Sequence, residues 1–311
     1  MTKKLNEWQI EVVKLKEAGE EQVQKELQKA YQSILKDVRK DLRYWLDSFE
    51  YEQIPEWRRK QLAELVALDN ELVAVLKDSG QVIEPILTSY KELQMTEGYY
   101  STFYQIEAQG KVTVDFLGLN KDLIRDSVSS SIDGFSLADR LNRSHVKASR
   151  KAADIIRNGL TMGESYSEMA RKITEETGTL QRQAMTIVRT EGGRLRSEGR
   201  RQSQQEAVNL GINIKKRWVS TLDSKTRSTH RSLDGQVREI DDMYESIKGN
   251  RGLAPNLFGV ASEDINCRCE SVIEIEDIPP SIRRDNASGE IITYKTYKEW
   301  YKERVEKGGS I

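Results

Sequence analysis

The hydrophobic period of this chain switches at Gly211. Ahead of it apolar residues recur at three- and four-residue steps, the spacing of one helix face. Behind it Ile212-Asn213-Ile214-Lys215-Lys216-Arg217-Trp218-Val219 alternates, as a half-buried strand does. Side chains return to a helix face every 3.6 residues and to a strand face every two, so neither pattern serves the other structure. Any sheet is therefore confined to about 212–277, and no large sheet is expected within residues 1–180. A hydrophobic fraction of 37% beside 32% charged residues, with only five prolines, suits long helices with narrow apolar stripes.

Val23, Leu27, Tyr31, Ile34, Val38, Leu42 and Trp45 fall on one face of a long helix over about 5–50. A bundle helix and an intermolecular coiled coil both use such a stripe, although this one is not strictly heptad. Pro55 breaks it, and further helices are read from Trp57 to Lys77 and from about Pro85 to Met95. Tyr99, Tyr100, Phe103 and Tyr104 form an aromatic cluster read as core. Residues 110–116 read as a short strand or extended segment, and 127–134 as a loop. Ser136, with Asp139 three positions on, is the N-cap of a helix reaching Asn158 and stopped by Gly159. A short helix over about 165–176 closes at Gly178, and a long one runs from about Leu180 to Leu210.

After the first strand come a short helix over 223–230, a tight turn at Asp234-Gly235 and a second strand over 236–240. An irregular stretch over 247–263 and a third strand over 269–275 follow. The fold class is mainly α: an elongated helical N-terminal part (1–180), a small α+β module (181–277) and a helical C-terminal tail (278–311). The tail carries a turn at Ala287-Ser288-Gly289 and a helix from Tyr294 to Glu306, and reads as an appendage.

With 49 basic and 50 acidic residues the chain carries a formal charge of −1, which argues against a uniformly basic nucleic-acid-binding protein. Two cysteines spaced C-x-C make no disulfide scaffold. The N-terminus lacks the apolar run of a signal peptide, and no apolar stretch approaches the ~20 residues of a membrane span. Synthesis and residence in a cytoplasm, away from membranes, are expected.

Residues 189–269 hold both cysteines and one of the two histidines. His230, Cys267 and Cys269 are zinc-ligand types, and Asp264 or Asp234 offers a fourth. Two readings stay open: a structural zinc, or reduced strand cysteines with His230 hydrogen-bonded to a neighbour. On a helix Arg189 and Glu191 do not share a face, so each is expected to hold a different neighbour; Glu191 is a candidate partner of Arg227 or of backbone amides of the small sheet. Asp223 at a helix start accepts backbone amides, and Trp218 is the largest apolar side chain available to the small sheet. Trp218, Arg189, Glu191, Asp223 and Arg227 are thus read as the module's structural core, with no catalytic residue among them. Arg194, Arg196, Arg200, Arg201, Lys215, Lys216 and Arg217 stand against only Glu198 and Glu206 in that span. They form either a phosphate-contacting face or a surface paired with acids such as Glu274, Glu276 and Asp277.

The ordered set Arg189-Thr190-Glu191, Trp218, Asp223, Thr226-Arg227, His230, Leu233-Asp234-Gly235-Gln236 and Asn266-Cys267-Arg268-Cys269 resembles the phage head morphogenesis family. Its members are the minor head proteins, also called Mu F-like proteins. The likeness covers roughly 150–275, and Asp264-Ile265 stands where the family often has His-Pro. The resemblance implies a virion component rather than an enzyme, present in a few copies inside the capsid near the portal after assembly in the host cytoplasm. Its implied partners are the portal protein, the inner capsid surface, double-stranded DNA without sequence preference, and further copies of itself. The competing reading is a metal-dependent nuclease or hydrolase built on 181–277.

Overall fold

A computed structural model describes residues 4–48, 50–68, 74–130, 136–277 and 296–307. The helices are α1 (Glu7–Ser48), α2 (Glu56–Leu68), α3 (Ala74–Asp78), α4 (Gly80–Gly110), α5 (Lys121–Ser129), α6 (Leu137–Met162), α7 (Tyr166–Ile187), α8 (Gly193–Asn209), α9 (Ser228–Arg231), α10 (Ala261–Asp264) and α11 (Tyr297–Tyr301). Wider π-helical turns occupy Val188–Gly192 and Lys302–Glu306. The strands are β1 (Asn213–Val219), β2 (Val237–Arg238), β3 (Tyr244–Glu245), β4 (Arg251–Gly252) and β5 (Glu270–Asp277). The protein is mainly α, with its small sheets confined to the region after Gly211.

Packing divides the chain into two compact units: residues 22–89 with 129–186, and residues 1–21, 90–128 and 187–311. Each is discontinuous, unlike the three successive segments suggested by the sequence, because α1 and α4 each contribute to both.

Among the described residues, the first of these units carries helices and no strand. Val23, Leu27, Tyr31, Ile34, Val38, Leu42 and Leu46 are the buried stripe of α1, while Trp45 is half-buried. α6 begins on a capping box in which Ser136 Oγ accepts from Asp139 N and the Asp139 carboxylate accepts from Ser136 N. It runs past Gly159 and ends at Gly163, whose φ of 73° is the left-handed conformation glycine adopts at low cost. Gly178 likewise does not end a helix: Ile173, Thr177, Leu180 and Ala184 keep one buried stripe running through it along α7. Glycine's deficit of ~1 kcal/mol in a helix is smaller than the burial on either side. The second helix is described as α2 and α3, residues 69–73 lying outside the described part.

The second unit surrounds the main sheet, of order β2-β1-β5 and antiparallel throughout. Its register pairs Trp218 with Ser271 and Lys216 with Ile273. β3 and β4 form a separate two-stranded ribbon, β3 just before the stretch expected to be irregular and β4 inside it. Neither element could bury its apolar side alone. Ile214, Val272 and Ile273 share one core with Val12 of α1, Phe103 and Tyr104 of α4, and Tyr297 and Trp300 of α11. The aromatic cluster on α4 is thus interior. The C-terminal segment is not an appendage: Trp300 is fully buried, and its indole N–H donates to Glu107 Oε2 at 2.7 Å. The start of the expected tail helix, at Tyr294, and the Ala287-Ser288-Gly289 turn lie outside the described residues.

Residues 112–120 take no strand. Their backbone is tied to side chains, Val114 N donating to Glu107 Oε1 (2.8 Å) and Leu117 N to Glu206 Oε1 (2.6 Å). The expected loop at 127–134 differs in its first three residues, which belong to α5; residues 131–135 lie outside the described part. α4 and α8 meet backbone to backbone. A Cβ on Gly98 would stand 2.1 Å from the Arg196 carbonyl oxygen, and one on Gly199 would stand 2.3 Å from that of Met95.

His145 on α6 is buried with Tyr31, whose hydroxyl lies 3.2 Å from His145 Nε2. Burial alone pushes its ring down from 6.5 to about 4. The unfolded chain then binds a proton that the folded one refuses, so stability is present above pH 6.5 and is lost as pH falls toward 4. The full effect is about 3 kcal/mol. Urea unfolding of the helical unit between pH 6.5 and 5, above most carboxylate titration, should show this loss, and His145→Gln should flatten it. An equal slope in both proteins would assign the pH dependence to other groups.

Candidate functional site

The seven basic residues of 194–217 do not make one surface. Arg196 and Arg200 on α8, and Lys216 and Arg217 on β1, are buried. The three arginines pair with acids that are distant in sequence, and the lysine is held by a backbone carbonyl. Arg196 Nε donates to Glu270 Oε2 at 2.5 Å, and its NH1 donates to Glu97 Oε2 at 2.7 Å. Arg200 NH1 donates to Glu270 Oε1, and its NH2 donates to Ser101 Oγ at 3.0 Å. Lys216 Nζ donates to the Ile240 carbonyl at 2.6 Å, and Arg217 lies 3.1 Å from Glu274. Burial opposes ionisation of Glu270, but Arg200 and Arg196 outweigh it and hold the carboxyl down at about 2. Of the other three, Arg194 is half-buried and donates to the Ser127 carbonyl, Lys215 lies between Glu239 and Glu276, and Arg201 is exposed beside Glu198. The expected cationic face is therefore largely an interior network, with the Glu274 and Glu276 pairs that the alternative reading named.

Next to Glu270 the chain brings His230, Cys267 and Cys269 together. Their ligand atoms all lie within 4.8 Å of one another, and all three residues are buried. His230 Nδ1 faces both sulfurs, 3.5 Å from Cys267 and 3.4 Å from Cys269. Its other nitrogen, Nε2, lies 3.1 Å from Glu263 Oε2 on α10, with the N–H bent off the line to that oxygen. Glu263 is itself buried and accepts from Thr229 Oγ1 (2.9 Å), Ser246 Oγ (3.2 Å) and Asn250 Nδ2 (2.8 Å). Burial opposes its ionisation, yet Asn250, Thr229 and His230 draw its pKa below the ordinary value. The two thiols share hydrogen bonding: Cys267, as donor to Cys269, is pushed up, while Cys269 is drawn down by Cys267 and further by His230. Lys16 of α1 donates to the Cys269 carbonyl at 2.6 Å.

Neither aspartate considered as a fourth ligand is available. Asp264, the last residue of α10, holds the loop that precedes the helix, its carboxylate accepting from the amides of Phe258, Gly259 and Val260. Asp234 accepts from the Ser220 amide at 2.8 Å. Glu263 and Lys16 were not singled out from the sequence. Glu263 sits in a stretch without periodicity, and only its place one turn before Cys267 hints at a shared site. Nothing in the sequence ties Lys16 to a cysteine about 250 positions away.

The remaining motif residues lock these loops to the helices. The π-helical turn carries Arg189-Thr190-Glu191, and its three side chains part company. Arg189 pairs with Glu20 (3.1 Å) and reaches Asn266 Oδ1 (3.4 Å), while Thr190 Oγ1 accepts from Asn266 N (3.0 Å). Glu191 is fully buried, 3.2 Å from Lys91 Nζ. Asn266, which opens N-C-R-C, is left-handed at φ 57°. Arg268 forms a two-pronged pair with Asp223 (2.7 and 2.6 Å) that holds the Asp223 carboxyl well below its usual range. Arg227 donates to the carbonyls of Glu263 and Ile265 rather than to the helix. Trp218 is fully buried against His230, Tyr244 and Phe258, with ring centroids 5.4, 5.2 and 5.9 Å away.

The sequence is similar to known proteins. The family profile of Phage Mu protein F like protein matches residues 150–272. The chain is 30% identical to Minor head protein GP7 of Bacillus phage SPP1 over 243 residues, 76% of this chain and 79% of that protein. It is also 34% identical over 306 residues to a protein of Enterococcus faecalis named NAD(+)--arginine ADP-ribosyltransferase EFV. That match takes in 98% of this chain but spans only 62% of the relative's length. No solved structure matches. The chain belongs to the Mu F-like family of phage minor head proteins.

Two substitutions probe the site's framework. Glu270→Gln leaves Arg196 and Arg200 buried without their shared counter-charge and should cost about 3–5 kcal/mol in urea unfolding. Trp218→Ala should cost a similar ~3–5 kcal/mol. Unchanged unfolding midpoints would show that neither contact supports the unit.

Proposed function

We propose that this chain is a structural minor head protein of a tailed bacteriophage. It acts inside the capsid against the portal and inner shell, in head morphogenesis and in genome packaging or ejection, after assembly in the host cytoplasm. The observation that carries this reading is the match with Minor head protein GP7, which spans most of both chains. The site's chemistry supports a structural role over a hydrolytic one. Asp223, His230 and Asp234, the set a hydrolase would need to converge, are directed to Arg268, Glu263 and the Ser220 amide respectively. Among the described residues no helix is long and apolar enough to cross a membrane.

DNA contact in this reading is weak and indifferent to sequence. It falls to cations that reach solvent, such as Arg201 and Lys215, and each already has a carboxylate partner. Such contacts work through counterion release, so binding weakens as salt rises.

Co-expression with the portal protein of the same phage tests the reading. Co-purification at physiological salt is the expected result, and separate elution of two folded proteins would count against it. The Enterococcus relative's name supplies a further check. Incubated with labelled NAD and an arginine-rich acceptor, this chain should transfer no ADP-ribose; transfer would place enzymatic activity within the matched region.

A further inference from the structure

We propose that His230, Cys267 and Cys269 bind one zinc ion, with Glu263 holding the histidine from behind. Zinc–sulfur bonds of ~2.3 Å and zinc–nitrogen bonds of ~2.0–2.1 Å, set at tetrahedral angles, place a nitrogen and a sulfur ligand about 3.5–3.6 Å apart. The two separations from His230 Nδ1 are 3.5 and 3.4 Å. Both nitrogen–sulfur separations thus match those of a zinc tetrahedron, and the two sulfurs lie within 4.8 Å of each other.

The histidine presents the required face. Its Nδ1 faces both sulfurs, and its Nε2 lies 3.1 Å from the Glu263 carboxylate, so a zinc on the sulfurs would take the Nδ1 lone pair and leave the ring proton on Nε2 beside that carboxylate. A carboxylate behind a ligating imidazole is the usual support for such a ligand, since it fixes the tautomer and raises the basicity of the coordinating nitrogen. Glu263 is 1% exposed, and its own position is set by Thr229, Ser246 and Asn250. Three polar side chains are thereby used to orient one carboxylate toward a buried histidine, more than a packing role for His230 requires.

Charge balance points the same way. Binding breaks two S–H bonds and forms two Zn–S bonds, releasing up to two protons to solvent, while Nδ1 donates a lone pair and no proton moves. Two thiolates cancel the dication, so the buried group is neutral overall, whereas two uncompensated thiolates there would be costly. Among the described residues no fourth His, Cys, Asp or Glu joins the group. The remaining corner falls to water or to Ser220 Oγ, 3.9 Å from Cys269 Sγ. With all three ligands no more than 3% exposed, the ion would fasten N-C-R-C to α9 rather than meet a substrate.

The full chain, purified without chelator, should hold about one zinc per molecule by elemental analysis. Replacing zinc with Co²⁺ should give the intense visible bands of a tetrahedral ion and a near-ultraviolet thiolate-to-metal charge-transfer band. In the wild-type protein both thiols should resist alkylation until a chelator is added, and chelation should lower the melting temperature. Cys267→Ser and Cys269→Ser should each lose most of the charge-transfer intensity and weaken zinc binding. Glu263→Gln, which keeps every ligand, should bind zinc about 10–100-fold more weakly. Substoichiometric zinc with the weak spectrum of octahedral Co²⁺ would overturn the assignment. So would zinc retained by the double cysteine variant, or a Cys267–Cys269 disulfide trapped by alkylation at lysis. The wild-type measurements do not depend on any variant folding, nor on whether the chain meets a portal.

Discussion

The sheet-bearing unit depends on one buried arrangement, a single carboxylate between two guanidinium groups. Glu270 opens β5, and Arg196 and Arg200 lie one turn apart on α8. Removing three charges from water costs several kcal/mol per ion, and only close, multiply hydrogen-bonded contacts offset that. The surroundings meet the requirement. Arg196 also reaches Glu97 on α4 and the Val12 carbonyl on α1, and Arg200 reaches Ser101 on α4. A chain stretch that misses its place leaves a charge without its partners. The network therefore specifies which helices cover the sheet more sharply than apolar burial could. The contact of Gly98 and Gly199 belongs to the same requirement, since bulkier residues would hold α4 and α8 too far apart for these bonds.

The Mu F-like motif reads differently once its partners are known. Its polar residues are engaged with one another and with backbone: Arg268 with Asp223, Thr190 with Asn266, Arg227 with two carbonyls. Together they position the loop that carries Cys267 and Cys269 over Trp218. The motif is the specification of a folded knot of loops, and its buried centre is the pair of thiols beside His230.

Much of this architecture is legible in the sequence, and the failures share a cause. Helix stripes, the Ser136 cap and the strands on either side of the long loop are local patterns, and they lie where the residues indicate. The grouping of His230 with both cysteines was also visible, because few residue types have that chemistry. Arg196 and Arg200 were not placed because a charge count cannot distinguish an arginine facing water from one whose partner is Glu270, about seventy positions on. The C-terminal segment reads as an appendage for the same reason: the partners of its Trp300, namely Tyr100, Phe116 and Glu107, are about two hundred positions away. Local sequence describes what a segment can present, but not which distant segment will meet it.

The discontinuity of the two units sets an order of events during synthesis. The helical unit has all of its residues once position 186 has left the ribosome. The sheet-bearing unit cannot complete its core until Trp300 emerges, although the α1 residues of that core, Val12 among them, are translated long before. For most of translation, then, Phe103, Tyr104 and Val12 wait without the aromatic residues that finally enclose them. Exposed apolar surface of this kind is what chaperones bind and what drives aggregation. A ribosome stalled before Trp300 would release a chain with one finished unit and one open core.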